Sequence, residues 1–459
     1  MTMAGLVLRT LLQQWRVWIS LLLFLALANA ILVSVGALVE AADGLPVRER
    51  RIVRNLSTPM YGMASIAILV ITSSAVSLAV QLQRRPFATW KLAGMSSLRI
   101  AAVLVSQLIV LGTVGGALGV PLALLVAPRF TGWILQANAV TTIVDVPAST
   151  TALLSTWALL IGILLLAGLR GVGSVLRVPA VDAVLSAEVV RRRPIAFRLA
   201  VSLVMSAAVL AVAAGMVGSA SGDVSSRLGL LVGLAMLLSL LIIPLIALHV
   251  SRIATLFLTA WTWIVPRRCS TAWYLARRGC AFHLDRVGVS LVPLYVAIAL
   301  ASSIYTVFET ANSARRAAGL VIAGEQGINH SGVWTILGPT VVLAIAGTAT
   351  VVAMAARERA HERALLSVAG VSPRSVVGAI VVEALMYAVT ATVLGLLTAA
   401  AVSVVEAEAF GRLEAGAPPV LAVGPGLVVG AGGFCVLAAA LAWPAVLEHR
   451  RAAVDRLAN

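Results

Sequence analysis

Residues 81–99 read Gln-Leu-Gln-Arg-Arg-Pro-Phe-Ala-Thr-Trp-Lys-Leu-Ala-Gly-Met-Ser-Ser-Leu-Arg, and residues 357–374 read Arg-Glu-Arg-Ala-His-Glu-Arg-Ala-Leu-Leu-Ser-Val-Ala-Gly-Val-Ser-Pro-Arg. Each stretch follows a long apolar run, carries basic residues, passes through Ala-Gly-x-Ser and an arginine, and re-enters an apolar run, at Ile100 or Val376. A shift of 276 residues superposes Gly94 on Gly370, and the same shift carries Gly115 and Gly119 onto Ala391 and Gly395. The chain is an internal duplication.

Composition identifies the solvent. Hydrophobic residues make up 61% of the chain and charged residues 11%, and several apolar runs reach the ~20 residues needed to cross ~30 Å of hydrocarbon. The fold class is therefore an all-α polytopic membrane protein. Ten spans are expected, near 12–39, 58–82, 100–127, 150–173, 197–217, 228–250, 287–308, 333–356, 375–404 and 421–446. The first run is too long for a removable signal peptide and reads as a true helix. No hydrophilic block is large enough for a separate soluble domain.

Basic residues set the expected orientation. With the N-terminus in the cytoplasm, 25 of the 34 Lys and Arg fall on the cytoplasmic side, which places both termini inside a multi-pass cytoplasmic (inner) membrane protein. The net charge of +16 is then explained by loops facing anionic lipid and cytosol, without nucleic acid. Cys269, Cys280 and Cys435 offer no extracellular disulfide framework. The histidines His249, His283, His330, His361 and His449 lack metal-ligand spacing, and neither a zinc-hydrolase helix nor a nucleophile elbow is present. No catalytic or metal residue is assigned.

A Walker A loop requires a lysine just after a glycine and just before Ser or Thr. The only lysine is Lys91, between Trp90 and Leu92. The chain is thus not expected to be an ATPase; ATP and magnesium would be bound by a partner.

The repeated stretches suggest where such a partner docks. In the first, Arg84, Arg85, Trp90 and Lys91 belong to an amphipathic segment that suits a membrane interface. In the second, Arg357, Glu358, Arg359, Glu362 and Arg363 include like-spaced charges one helical turn apart. Gly94 and Gly370 fall where a helix would end in a left-handed residue. Each repeat then presents a rigid cytoplasmic knuckle.

This arrangement resembles the FtsX-like permease domain of ABC transporters, present twice. Residues 177–185, Arg-Val-Pro-Ala-Val-Asp-Ala-Val-Leu, look like the tail that closes such a block, and residues 453–457 look like a weaker copy. The resemblance covers about 1–185 and 270–459 and leaves a central two-helix insert at 186–269. It implies the ten-helix plan of Bce-type single-chain permeases and a type VII, mechanotransmitting architecture. Two copies of a cytoplasmic ABC ATPase would engage coupling helices at 84–96 and 357–372. The large extracellular domain of Bce-type relatives is missing, since only residues 309–332 are available between the seventh and eighth spans. That departure speaks against extracellular peptide sensing, MacB-like tripartite efflux and lipoprotein handover.

The implied function is export or extraction of a hydrophobic or amphipathic compound, such as an antimicrobial peptide, drug or lipid. Two alternatives stay open: a regulator of an extracellular partner, and a proton-coupled transporter. A sensor kinase as a further partner also stays open. Glu383, inside the ninth span with Gln107 as its repeat-related position, reads either as a helix–helix hydrogen-bonding group or as a proton site. Gly112, Gly115, Gly116 and Gly119 form overlapping small-residue patterns that suit close helix packing. Arg48, Arg50, Arg51 and Arg54 form a basic cluster after the first span, read as a solvated extension of the second helix or as a grip on lipid phosphates.

Overall fold

The computed structural model describes residues 5, 9, 11, 15–137, 149–176, 195–219, 224–264, 270–282, 284–319, 330–368, 370–413 and 419–458. They form twelve helices: α1 (Trp15–Asp43), α2 (Val47–Leu82), α3 (Arg84–Leu92), α4 (Ser97–Ala137), α5 (Thr150–Leu176), α6 (Ile195–Gly218), α7 (Val224–Ile264), α8 (Thr271–Phe282), α9 (Leu284–Ala317), α10 (His330–Val368), α11 (Pro373–Leu413) and α12 (Val423–Ala458). Among the described residues there is no strand. Ten helices are long and apolar enough to cross a membrane, which makes this an all-α multi-pass membrane protein. In lipid every backbone polar group must be satisfied within the protein, which is why such runs become helices.

Several helices run beyond their apolar stretch. α2 begins at Val47, ahead of the apolar run that starts near residue 58, and α11 continues to Leu413. The extensions remain helical because they carry charged pairs at helical spacing, as in Glu408–Arg412. At 1.5 Å per residue, the 36 residues of α2 make a rod about 54 Å long, well beyond the ~30 Å of hydrocarbon.

The chain divides into two compact units. One comprises residues 1–193 with 338–354; the other comprises 194–337 with 355–459. In the first, α1 lies along α4, with α2 and α5 closing around them. The middle turns of α10 belong to this unit: Thr350 donates its hydroxyl to the Ser20 carbonyl at 3.4 Å, and Gly347 gives room to Ile71.

The α1–α4 crossing explains the glycine patterns. A Cβ at Gly115 would stand 2.8 Å from Leu25 Cβ, and one at Gly119 would stand 2.5 Å from the Ala26 carbonyl oxygen. Gly112 and Gly116 sit on the adjoining face and give room to α5, at Leu164 and Trp157. The two overlapping patterns therefore serve two different neighbours. Asn29 fastens the α1 side by donating to the Gly116 carbonyl at 2.8 Å.

In the second unit the corresponding pair is α9 and α11, joined by α7, α8 and α12. Gly395 repeats the close approach, since a Cβ there would stand 2.6 Å from Ile298 Cγ2. The span within α9 is enclosed on all sides, whereas the span within α6 is hardly buried, nearly all of its residues being exposed or half-buried. Their sequences accord with this. α9 carries small and hydroxylated residues such as Ala299, Ala301, Ser302 and Ser303, which admit close neighbours; α6 is apolar around its circumference, with Leu199, Leu203, Val204 and Leu210 exposed.

Candidate functional site

The break between α2 and α3 follows from Pro86. Its nitrogen carries no proton for the Leu82 carbonyl one turn back, and its ring crowds that carbonyl, so the span helix ends at Leu82. Hydrogen bonding still passes through Gln83, which donates to Ala79 at 3.1 Å and accepts from the Phe87 N–H at 3.1 Å. α3 is thus a bent continuation rather than a free loop. Phe87 and Ala88 are buried and anchor it, and Trp90 lies against Phe87 with ring centroids 5.7 Å apart.

The end of α3 has a defined closure. The Gly94 N–H donates to the Lys91 carbonyl and the Met95 N–H donates to the Trp90 carbonyl, both at 3.0 Å, with Gly94 at φ +86°. This is a Schellman motif. Ser96 then starts α4, its hydroxyl accepting from the Arg99 N–H at 3.4 Å. Gly370 is also left-handed, at φ +81°, and Ser372 accepts from the Ser375 N–H at 3.3 Å to start α11. The Gly-x-Ser spacing common to both stretches therefore encodes one helix stop and one helix start, a signal that the serine supplies and that the sequence reading passed over.

On the outside of the first turn, Leu92 is 56% exposed and Leu98 75% exposed, with Arg99 exposed beside them and Gly94 leaving open space. Partial burial holds the Lys91 ammonium below its usual pKa. The turn presents an apolar pair edged by positive charge on a rigid support. The side chains of Arg84 and Arg85 lie outside the described residues.

The second stretch is built differently. Residues 357–363 continue α10 without a break, because the Ala-, Glu- and Arg-rich run favours helix and contains no proline. The side chains of Arg357, Glu358, Arg359, Glu362 and Arg363 lie outside the described residues, as do residues 177–185.

Glu383 is bonded within its own helix, accepting from the Tyr387 hydroxyl. Gln107 is buried on α4. The basic cluster divides. Arg50 donates to the carbonyls of Asp43 and Leu45 at 2.9 and 3.2 Å, and Arg54 pairs with Asp43 at 2.6 Å. Both fold back to clamp the α1–α2 turn, while Arg51 is exposed and the Arg48 side chain lies outside the described residues.

Sequence reasoning missed Glu406, which lies two residues beyond the expected ninth span at 375–404. The residue is fully buried on α11, and neither carboxylate oxygen completes a hydrogen bond. Its flanking neighbours at helical spacing, Val402 and Phe410, are apolar and buried, whereas Glu408 and Arg412 pair on an exposed face. That contrast in periodicity was the available signal.

Against known proteins, the family model described as FtsX-like permease C-terminal matches twice, at residues 60–179 and 334–452. The two matches together span more than half of the chain and coincide with the duplication. A comparison with curated proteins gives no match.

Proposed function

Because the chain belongs to the FtsX-like permease family, the membrane subunits of ABC transporters, we propose that it couples ATP hydrolysis by two copies of a separate cytoplasmic ATPase to the export or extraction of a hydrophobic or amphipathic compound. The observation that carries this reading is the repeated turn: a left-handed glycine and a capping serine at Gly94–Ser96 and again at Gly370–Ser372. A docking element must transmit force without yielding, and a helix fastened by Phe87 and closed by a Schellman motif meets that need. Leu92 and Leu98 would enter an apolar cleft of the ATPase, with Lys91 and Arg99 meeting acidic residues at its rim. The absence of a second lysine agrees with nucleotide binding on another subunit.

Closure of the two ATPases on ATP would then draw on the knuckles, and α2 is long enough to carry that movement across the bilayer as one rod. In this reading both termini face the cytoplasm, and the α1–α2 turn clamped by Arg50 and Arg54 faces outward. The α1–α4 and α9–α11 pairs, held at van der Waals contact through Gly119 and Gly395, move as rigid pairs.

The proton-coupled alternative is not favoured, because the hydrogen bond from Tyr387 gives Glu383 a structural partner within its own helix. The test is reconstitution of the chain with its ATPase in liposomes carrying a fluorescent amphiphile. ATP-dependent removal of the amphiphile, lost when the ATPase cannot hydrolyse ATP, is expected. Transport by the permease alone, driven by a proton gradient and abolished by Glu383→Gln, would reject the reading.

A further inference from the structure

One carboxyl group in the second unit has no role in the reading given above. Glu406 is 0% exposed, and its carboxylate makes no close hydrogen bond and no ion pair, while the Thr310 hydroxyl is directed at it. Glu406 shares the face of α11 that carries Ala409 and Phe410, which pack with Met216 of α6, Leu231 of α7, and Val307 and Ala311 of α9 into one apolar cluster. An ionised carboxylate in such surroundings is unfavourable unless it is paired. Intramembrane and near-membrane acids of this kind are commonly functional.

Among the described residues, the polar groups nearby are hydroxyls, whose oxygens can also accept, rather than fixed cations. Thr310 of α9 faces Glu406. Its hydroxyl accepts from the Val420 N–H at 3.5 Å, and Thr306, one turn away, accepts from the Ala422 N–H at 3.1 Å. Ser303 continues the same face of α9, buried and with its hydroxyl unpartnered. One carboxylate, a row of hydroxyl oxygens and apolar walls make a place for a single positive charge carried on an apolar body.

Depth and access specify where that body comes from. Glu406 stands 33 residues along α11 from its first residue, Pro373, which is about 50 Å at 1.5 Å per residue. Hydrocarbon occupies only ~30 Å of that path. The carboxylate therefore lies past the hydrocarbon core, toward the membrane face farther from the α10–α11 turn, the side on which the charged end of an amphiphile resides. The cluster is closed on one side by α6, whose span is hardly buried elsewhere and packs mainly against α7. Displacement of that helix would open the carboxylate sideways to the lipid.

We propose that Glu406, with the hydroxyls of Thr306 and Thr310, binds the ammonium or guanidinium head of an amphipathic cation that enters laterally from the membrane past α6. This inference rests on the reading of the chain as a permease for amphipathic compounds and narrows that class to cations.

The test uses the full chain in nanodiscs of zwitterionic lipid. The probes are a dansyl-labelled dodecyl ammonium and the corresponding neutral dansyl-labelled dodecyl alcohol, and saturable binding is read from the shift of dansyl emission. For the cationic probe, Glu406→Gln is expected to weaken binding about tenfold or more, since charged hydrogen bonds are lost, while Glu406→Asp retains part of it and the surface change Glu408→Gln leaves it unaltered. Binding of the neutral probe should be the same in wild type and Glu406→Gln. Equal affinity of wild type and Glu406→Gln for the cation would overturn the proposal, as would an equal loss for both probes, which would mark Glu406 as a packing residue. Glu406-dependent binding with no ATP-driven release in the presence of the ATPase would uphold the site and strike the transport reading instead.

Discussion

Replacement of Gly119 by alanine tests the packing on which force transmission depends. The new Cβ would stand 2.5 Å from the Ala26 carbonyl oxygen, 2.8 Å from Asn29 Cβ and 3.2 Å from the Ala30 nitrogen. Two of these three atoms belong to the α1 backbone, so no rotamer change relieves the clash. Carbon and carbonyl oxygen settle near 3.3–3.6 Å, so α1 must move away from α4 by about 0.8 Å. Overpacking of this kind costs about 1–3 kcal/mol. The same displacement stretches the hydrogen bond from Asn29 to the Gly116 carbonyl, adding about 1 kcal/mol. Gly116→Ala should cost less, because its Cβ meets the indole tip of Trp157, a side chain that can turn. Gly132→Ala, on the same helix with nothing within 4 Å, should stay within about 0.5 kcal/mol of wild type. Unfolding of the purified protein, followed by tryptophan fluorescence, gives the ranking. A Gly119→Ala protein as stable as Gly132→Ala would refute the reasoning.

Gly94 and Gly370 have open space around them but positive φ, so valine at either position should cost about 1–2 kcal/mol of conformational strain and asparagine less; ATPase stimulation should fall in the same order. Arg50→Ala should lower stability by about 1.5–3 kcal/mol, because it strips two carbonyls of a charged donor. Arg54→Ala, which loses an exposed ion pair, should cost under about 1 kcal/mol, and thermal unfolding of the two variants orders them. As the only lysine, Lys91 gives the one side-chain amine signal after reductive methylation with a ¹³C label; its titration should fall lower in the folded protein than in the unfolded chain, the direction that burial imposes. The folded protein releases this proton before the unfolded chain does, so this group adds stability as pH rises through that window, and a midpoint at or above the unfolded one would contradict the assignment.

Apolar run length and the duplicated stretches were enough to read ten membrane helices and two turns closed by left-handed glycines. What escaped had weaker local signals. The end of an apolar run is not the end of a helix, because the Glu408–Arg412 pair on α11 favours helix in water as well. The unlike construction of the two turns rests on one residue, Pro86, which breaks α2 from α3 while the proline-free run at 357–363 stays continuous with α10. The division of labour among Gly112, Gly115, Gly116 and Gly119 between two neighbours depends on packing that a linear pattern does not contain. Glu406 was hidden by its charge: a carboxylate past an apolar run reads as solvated until the apolar Val402 and Phe410 are seen to share its face.

Native mass spectrometry of the permease purified with its co-expressed ATPase, for wild type and for the double charge reversal Arg85→Glu, Arg359→Glu, addresses the proposed coupling most directly. One permease bound to two ATPase subunits, with the complex lost in the double variant, is the predicted result. An ATPase that does not bind, or one that binds wild type and variant alike, would contradict it.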